Sequence, residues 1–192
     1  MQIDAVFVFS GAGFGLRLFY FAKGGDFVNC TVKIMETDAE IRGKAYVHWK
    51  SWQETYAGLI DQDYLDRMTL EKCTEIAFRW PENLLVAMDG DQVVGFAGFG
   101  PCRDQSLPET GEVIAIYVLK AYQGKGIGYR LMVEAMEKLS SFHKVILWVL
   151  EGNDKAVSFY ERFGFRFDGA SMEAKVGKEL RMVYARVKEE RS

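Results

Sequence analysis

From Thr31 onward the period of hydrophobic and polar positions changes several times along the chain, and each change marks an element. Thr31–Met35 alternates, as a short strand does. Thr37 or Asp38 is placed to cap a helix, with Glu40 in its first turn. Ile41, Ala45, Trp49, Trp52 and Tyr56 then recur at steps of three or four, with His48 beside them, so one face of that helix is apolar until Gly58 stops it. Asp61–Met68 and Thr69–Arg79 read as two shorter helices, the second ending before Pro81. Leu84–Met88 and Val93–Phe99 are apolar β-type runs, and Asp89-Gly90-Asp91 between them signals a hairpin. Glu112–Val118 predicts a strand, Gly126–Ser141 a helix, and Val145–Leu150 a nearly continuous apolar strand. A helix at Lys155–Phe163 and strands at Phe165–Phe167 and Leu180–Val187 complete the order. Helices and strands alternate without repeats or low complexity, which predicts one α/β (α+β) domain over residues 28–192.

Residues 1–27 break the pattern. Six phenylalanines and five glycines share this stretch without a sustained period. Asp4 and Arg17 argue against a signal peptide, and Ser10, three glycines and Arg17 argue against a membrane span. Gly11, Gly13 and Gly15 follow a strand-like run, but Leu16 stands where a dinucleotide loop needs its third glycine. Lys23-Gly24-Gly25 can be encoded by a ribosome-binding sequence, and Val28 by a GTG start codon. The expectation is therefore an atypical extension over 1–27, with the native chain beginning at Val28.

Composition narrows the function classes. The chain has 192 residues, 49% hydrophobic and 27% charged, enough to bury a sizeable core and too apolar for global disorder. A net charge of -3 gives no basic footprint for nucleic acid, and no segment reads as a membrane span. Cys30, Cys73 and Cys102 are widely spaced, and His48 and His143 are the only histidines, so no paired metal-ligand spacing exists. Free thiols in a cytoplasmic protein are the expectation.

The chemistry concentrates in Glu112–Gly128. A hydrophobic strand runs into a turn with glycines at 124, 126 and 128, then directly into an amphipathic helix carrying Leu131, Met132, Ala135 and Leu139. Such glycines let backbone approach a ligand, and the helix start offers free N–H groups and a positive dipole end. The combination suits a phosphate or pyrophosphate. No G-K-S/T follows at the spacing of a Walker loop, and a glycine-rich turn without function is the alternative.

Gln123-Gly124-Lys125-Gly126-Ile127-Gly128 resembles the Q/R-x-x-G-x-G/A signature of the GNAT superfamily of N-acetyltransferases. Asn153-Asp154-Lys155-Ala156 and Phe159-Tyr160-Glu161-Arg162-Phe163-Gly164-Phe165 resemble that family's second hallmark, N-x-x-A followed by F-Y-x-x-x-G-F. The resemblance covers Thr31 to about Lys188, and the stretch His48–Ile60 with Tyr64-Leu65 is similar to a bacterial subgroup that includes spermidine/spermine acetyltransferases. It implies a GNAT fold: a mixed, mostly antiparallel central sheet of about six to seven strands with a splayed central pair, flanked by about four to five helices.

The resemblance also implies roles. Acetyl-CoA would pair its pantetheine arm with backbone of Ile116, Tyr117 and Val118. Its pyrophosphate would sit on the loop Gln123, Gly124, Lys125, Gly126, Ile127 and Gly128. Asn153 corresponds to the family's asparagine near the thioester arm, with a simple helix cap as the other reading. Tyr160 corresponds to the general acid that protonates the departing thiolate, with core packing as the alternative. Glu112 is the candidate base, directly or through water, or else a solvated strand-end carboxylate. Lys155 and Arg162 are candidates for the 3′-phosphate or ordinary solvated charges. Trp52 and Tyr56 either contact an alkyl amine or pack in the core. No metal is implied. The implied activity is acetyl transfer to a primary amine of a polyamine-like small molecule or a peptide; the rival reading is a non-catalytic acyl-CoA sensor on the same fold. The oligomeric state is open, a homodimer being one option.

Overall fold

Residues 30–186 are described by the structure, a computed structural model. The extension expected over residues 1–27 and the start expected at Val28 lie outside the described residues. Seven strands and five α-helices follow in the order β1 (Thr31–Ile34), α1 (Asp38–Thr55), α2 (Gln62–Asp66), α3 (Leu70–Arg79), β2 (Leu84–Asp89), β3 (Gln92–Pro101), β4 (Thr110–Val118), α4 (Ile127–Lys138), β5 (Lys144–Leu150), α5 (Asp154–Arg162), β6 (Arg166–Ala174) and β7 (Gly177–Ala185). The strands form one sheet in the order β1-β2-β3-β4-β5-β7-β6. Every pairing is antiparallel except β4 with β5.

Local signals explain most boundaries. The Thr37 hydroxyl accepts from the Glu40 amide at 3.2 Å, and the Glu40 carboxylate accepts from the amides of Thr37 and Glu36, a reciprocal cap that starts α1. Lys33 reaches the same carboxylate from β1 at 2.9 Å. Asp61 and Thr69 cap α2 and α3 in the simpler one-sided way. Gly90, at φ 57°, closes the β2–β3 hairpin expected from Asp89-Gly90-Asp91.

The last two strands are longer than the hydrophobic pattern predicts. The pattern predicts Phe165–Phe167 and Leu180–Val187, of which Val187 lies outside the described residues, whereas β6 and β7 form a hairpin from Arg166 to Ala185. β6 is an exposed edge strand whose register breaks between Phe167 and Ser171, at Gly169 (φ 88°). With no face to bury, it shows no alternation to read.

Two cores flank the sheet. On one side α4 and α5 pack Ile127, Leu131, Met132, Ala135 and Tyr160 against Val113, Val145, Leu147, Val149 and Met182. On the other, α1 and α3 pack Ile41, Ala45, Cys73 and Ala77 against Val86, Val93 and Phe96. Burying apolar surface on both faces fixes the strands at its centre.

The buried stripe of α1 is more polar than its apolar positions predict, because Lys44 and Ser51 are buried along it. Lys44, 6% exposed, lies with its ammonium 4.8 Å from the Phe96 ring centre, and burial lowers its pKa. His48 packs edge-on to Trp52 and Phe96 and beside Tyr117, and its Nδ1, like Ser51 Oγ, is buried without a hydrogen-bond partner. Burial first, and the Lys44 charge second, push the His48 pKa down to about 4.

His48 is thus neutral in the fold while an unfolded histidine protonates near pH 6.5. As the pH falls from about 6.5 to about 4 the unfolded state binds the extra proton, so folding stability is lost across that window, by on the order of 3 kcal/mol at most. Urea unfolding of the unaltered chain and of His48→Phe should show a shallower loss between about pH 7 and about pH 4.5 for the variant. Equal losses would mean that His48 is not the titrating group.

Candidate active site

The sheet forks at its centre. β4 pairs with β5 only at Thr110–Lys144, Gly111–Val145 and Glu112–Ile146. Beyond that point β4 stays with β3 as far as Val118–Gly95, while β5 stays with β7 as far as Leu150–Glu179. Ile114 is an extra residue between the Val113–Phe99 and Ala115–Gly98 pairs, a bulge whose side chain is 40% exposed. From Ile114 to Val118 the β5-side edge of β4 has no strand beside it among the described residues.

Alternation says which groups are left over. In an antiparallel pair each residue turns both backbone groups to the same side. The Leu119 amide donates to Val94 of β3 at 3.0 Å, so Leu119 and Tyr117 face β3 and Ile116 and Val118 face the fork; of the three residues expected to offer backbone to pantetheine, Tyr117 has its backbone groups turned to β3 instead.

A glycine loop closes the end of β4. After a short 3-10 turn at Lys120–Tyr122, Gly124 and Gly126 adopt φ of 76° and 78°, a left-handed backbone that β-carbons disfavour. Gly126 is the N-cap of α4 and offers no side chain to its first turn, which carries no acidic residue. The leading N–H groups of α4 therefore remain available to an anion. Gly128 is helical, and a β-carbon there would meet Phe159 and Val118 only at 3.8 Å. Lys155 donates to Gln123 Oε1 at 2.6 Å and Gln123 Nε2 donates to the Val118 carbonyl at 3.0 Å, so the loop is pinned to both α5 and β4. Lys125 lies over the Tyr122 ring. Asn153 caps α5, its Oδ1 accepting from the Ala156 amide at 3.2 Å.

α5 carries Tyr160 into the core beside the fork. Its ring packs against Phe159 and Phe165 and the residue is 9% exposed. No group among the described residues hydrogen-bonds its hydroxyl. Burial, reinforced by Tyr56, pushes its pKa well above the ordinary tyrosine value, so it holds its proton. Across the site, the Tyr117 hydroxyl accepts from Trp52 Nε1 at 3.0 Å and lies 3.2 Å from the Tyr56 hydroxyl. Trp52 and Tyr56, expected either to contact an amine or to pack, thus belong to one aromatic tier with Tyr117, His48 and Tyr64.

Glu112 is not the solvated strand-end carboxylate that one sequence reading allowed. It is the third residue of β4, 1% exposed, and opposite Ile146 at the root of the fork. Arg103, from the loop between β3 and β4, grips it with Nη2 at 2.6 Å and Nε at 3.1 Å, and donates its backbone amide at 3.0 Å. A carboxylate held this way anchors the loop, and its lone pairs are largely taken. Neither Arg103 nor the half-buried Glu179 of β7 is singled out by the sequence pattern; only the folded sheet brings them to Glu112. Burial and Glu112 raise the pKa of Glu179, against the opposing charge of Arg103. Among the described residues no group of three His, Cys, Asp or Glu stands ready to hold a metal.

Comparison with known proteins agrees with this geometry. Residues 45–165 match the model of the acetyltransferase (GNAT) family. The chain is 34% identical over 131 residues to the uncharacterized N-acetyltransferase YuaI of Bacillus subtilis (strain 168), covering 65% of this chain and 73% of that protein. It is 32% identical over 110 residues to the spermine/spermidine N(1)-acetyltransferase of the same organism, covering 54% of this chain and 70% of the relative. The fold superposes on the PaiA N-acetyltransferase of Thermoplasma acidophilum in complex with coenzyme A, with a TM-score of 0.63, 20% identity, and coverage of 81% of this chain and 99% of that one. It also superposes on YncA of Salmonella typhimurium with acetyl-CoA, with a TM-score of 0.64, 18% identity, and coverage of 85% and 98%. The forked sheet, the glycine loop and a family match over more than half of the chain lead to one conclusion: this chain belongs to the acetyltransferase (GNAT) family and is an N-acetyltransferase.

Proposed function

We propose that the protein transfers the acetyl group of acetyl-CoA directly to a primary amine of a small, polyamine-like molecule or a peptide. The fork between β4 and β5 carries this reading. Backbone of Ile116 and Val118 faces it, and buried polar backbone finds partners in known folds, so an extended amide-bearing chain such as pantetheine fits there. The bare N-terminus of α4 and the left-handed glycines suit the pyrophosphate. Lys155, tied to the loop through Gln123, adds a positive charge beside it. The thioester supplies an activated acyl group with a thiolate leaving group.

The chain's own residues would do the rest. Tyr160 is a buried phenol with an unengaged hydroxyl and a firmly held proton, which suits donation to the departing thiolate. Asn153 orders the start of α5, and through it the position of Tyr160. Trp52 and Tyr56 wall the acceptor side. The relative that acetylates spermine and spermidine supports an amine of that class. Such an amine, with a pKa of about 10.4, costs roughly 4 to 5 kcal/mol to deprotonate at pH 7, whereas a peptide α-amine costs about 1 to 1.5. Three free cysteines support a cytoplasmic setting.

Two substitutions test the reading. Gly128 has ordinary helical backbone and open surroundings, so Gly128→Val should leave thermal stability nearly unchanged while weakening acetyl-CoA about tenfold or more in calorimetry. Unchanged affinity would remove the cofactor from this loop. Tyr160→Phe keeps the ring and deletes the proton, so kcat should fall about 10²–10⁴-fold with acetyl-CoA affinity unaltered. The loss should shrink for a thioester whose leaving thiol is more acidic. Full kcat in the variant, with chemistry rate-limiting, would make Tyr160 a packing residue.

A further inference from the structure

We infer that Glu179 is the proton acceptor for the incoming amine, and that its uncompensated negative charge selects acceptors that arrive as ammonium cations. The inference rests on the transfer reading above and assigns a role that the resemblance and the comparisons leave with Glu112 or with no residue.

Position comes first. Glu179 stands opposite Leu150 of β5 and Met172 of β6, four residue pairs beyond Glu112–Ile146, the last place where β4 touches β5. It therefore belongs to the far arm of the fork, on the strand next to β5. Partner residues in an antiparallel pair share a face, so Glu179 lies with Leu150, Trp148 and Arg181 on the face opposite Val149, Leu180 and Met182, which fill the α4–α5 core. The Arg103–Glu112 pair and Tyr56 are its electrostatic neighbours on that side, and Tyr56 is in turn the neighbour of Tyr160. The Glu179 carboxylate and the Tyr160 phenol thus share Tyr56 as a neighbour.

Availability comes second. The other acids near Glu179 are engaged: Glu112 by Arg103, Asp168 by Arg181 at 2.8 Å and by the Ala170 amide, Glu151 by Lys178 at 3.0 Å. Glu179 is half-buried, and no hydrogen bond to its carboxylate exists among the described residues. The charges facing it from neighbouring elements are Arg103 in the β3–β4 loop, Glu112 on β4, Arg181 on its own strand and Asp168 on β6, with the Tyr56 phenol at the end of α1. Arg103 is paired to Glu112 and Arg181 to Asp168, which leaves one net negative charge on Glu179. A half-buried carboxylate with no hydrogen-bond partner among the described residues, beside the fork and with a raised proton affinity, is fitted to take a proton from a cation.

The protons balance. The ammonium gives one proton to Glu179, and the neutral nitrogen forms its bond to the thioester carbonyl carbon. The carbon–sulfur bond breaks, the thiolate takes the Tyr160 proton, and the tyrosine is restored by the proton still carried on the new amide nitrogen. Glu179 then releases its proton to water.

The test uses the full chain, acetyl-CoA, and two acceptors: spermidine and a peptide with a free α-amine. Thiol release would be followed from about pH 6 to about pH 10. Glu179→Gln should lower kcat/KM for spermidine about 10²–10⁴-fold near neutral pH, and the deficit should narrow as the pH approaches the amine pKa of about 10.4, where the base is no longer needed. The deficit should be smaller for the peptide, acetyl-CoA affinity should be unchanged, and Glu179→Asp should restore part of the rate. A deficit equal at every pH and for both amines would show a structural role and overturn the proposal, as would an unaltered rate. Absence of thiol release from the unaltered protein with either amine, despite acetyl-CoA binding, would overturn the transfer reading itself; activity in the unaltered protein with a null effect of Glu179→Gln would overturn this proposal alone.

Discussion

The parting of β4 from β5 after three residue pairs is the constraint on which the rest of this molecule depends. A sheet that stayed closed would satisfy its own backbone and leave nothing for an extended ligand to bind. Here the freed edge of β4 is held by pairing with β3 on its other side, with the bulge at Ile114 where it leaves β5. At the root of the fork Arg103 closes on Glu112, a buried charge made tolerable by three donors from one residue. At its tip Gln123 ties the glycine loop back to the Val118 carbonyl.

The α4–α5 core packs on both arms, whereas the α1–α3 core packs only on the β2–β4 arm. The α4–α5 core holds β5 and β7 from one side, and the α1–α3 core holds β2 and β3 from the other. The same helices position the residues proposed above for the chemistry. α5 brings Tyr160 from one side, and the end of α1 brings Trp52 and Tyr56 from the other, where both meet the Tyr117 hydroxyl. The orphaned Nδ1 of His48 and the buried Lys44 lie directly behind this tier, polar groups retained inside an apolar stripe at a cost to stability.

What the sequence made legible was local. Gly124 and Gly126 announce a left-handed turn, Thr37 with Glu40 announces a helix start, and the Phe159–Phe165 run places Tyr160 on a helix. The fold followed from these signals and from the family resemblance together. Residues whose meaning is set by distant partners stayed hidden. Glu112 was visible as a strand-start acid, but its burial and its grip by Arg103 arise only when the β3–β4 loop folds back. Glu179 lies one residue before the strand expected at Leu180–Val187, and only the sheet pairing places it beside Leu150 of β5. Lys44 and Ser51 were passed over for the opposite reason, since a stripe drawn from apolar residues cannot show that polar ones share it.

The central claim is that the freed edge of β4 and the start of α4 form one binding surface for acetyl-CoA. Amide hydrogen exchange, measured with and without saturating acetyl-CoA, tests it directly. The account predicts slowed exchange at Ile116 and Val118 and across Gly124–Tyr129, with the edge strands β1 and β6 unaffected. Protection absent from β4 and from the glycine loop, or confined to another face of the sheet, would contradict it.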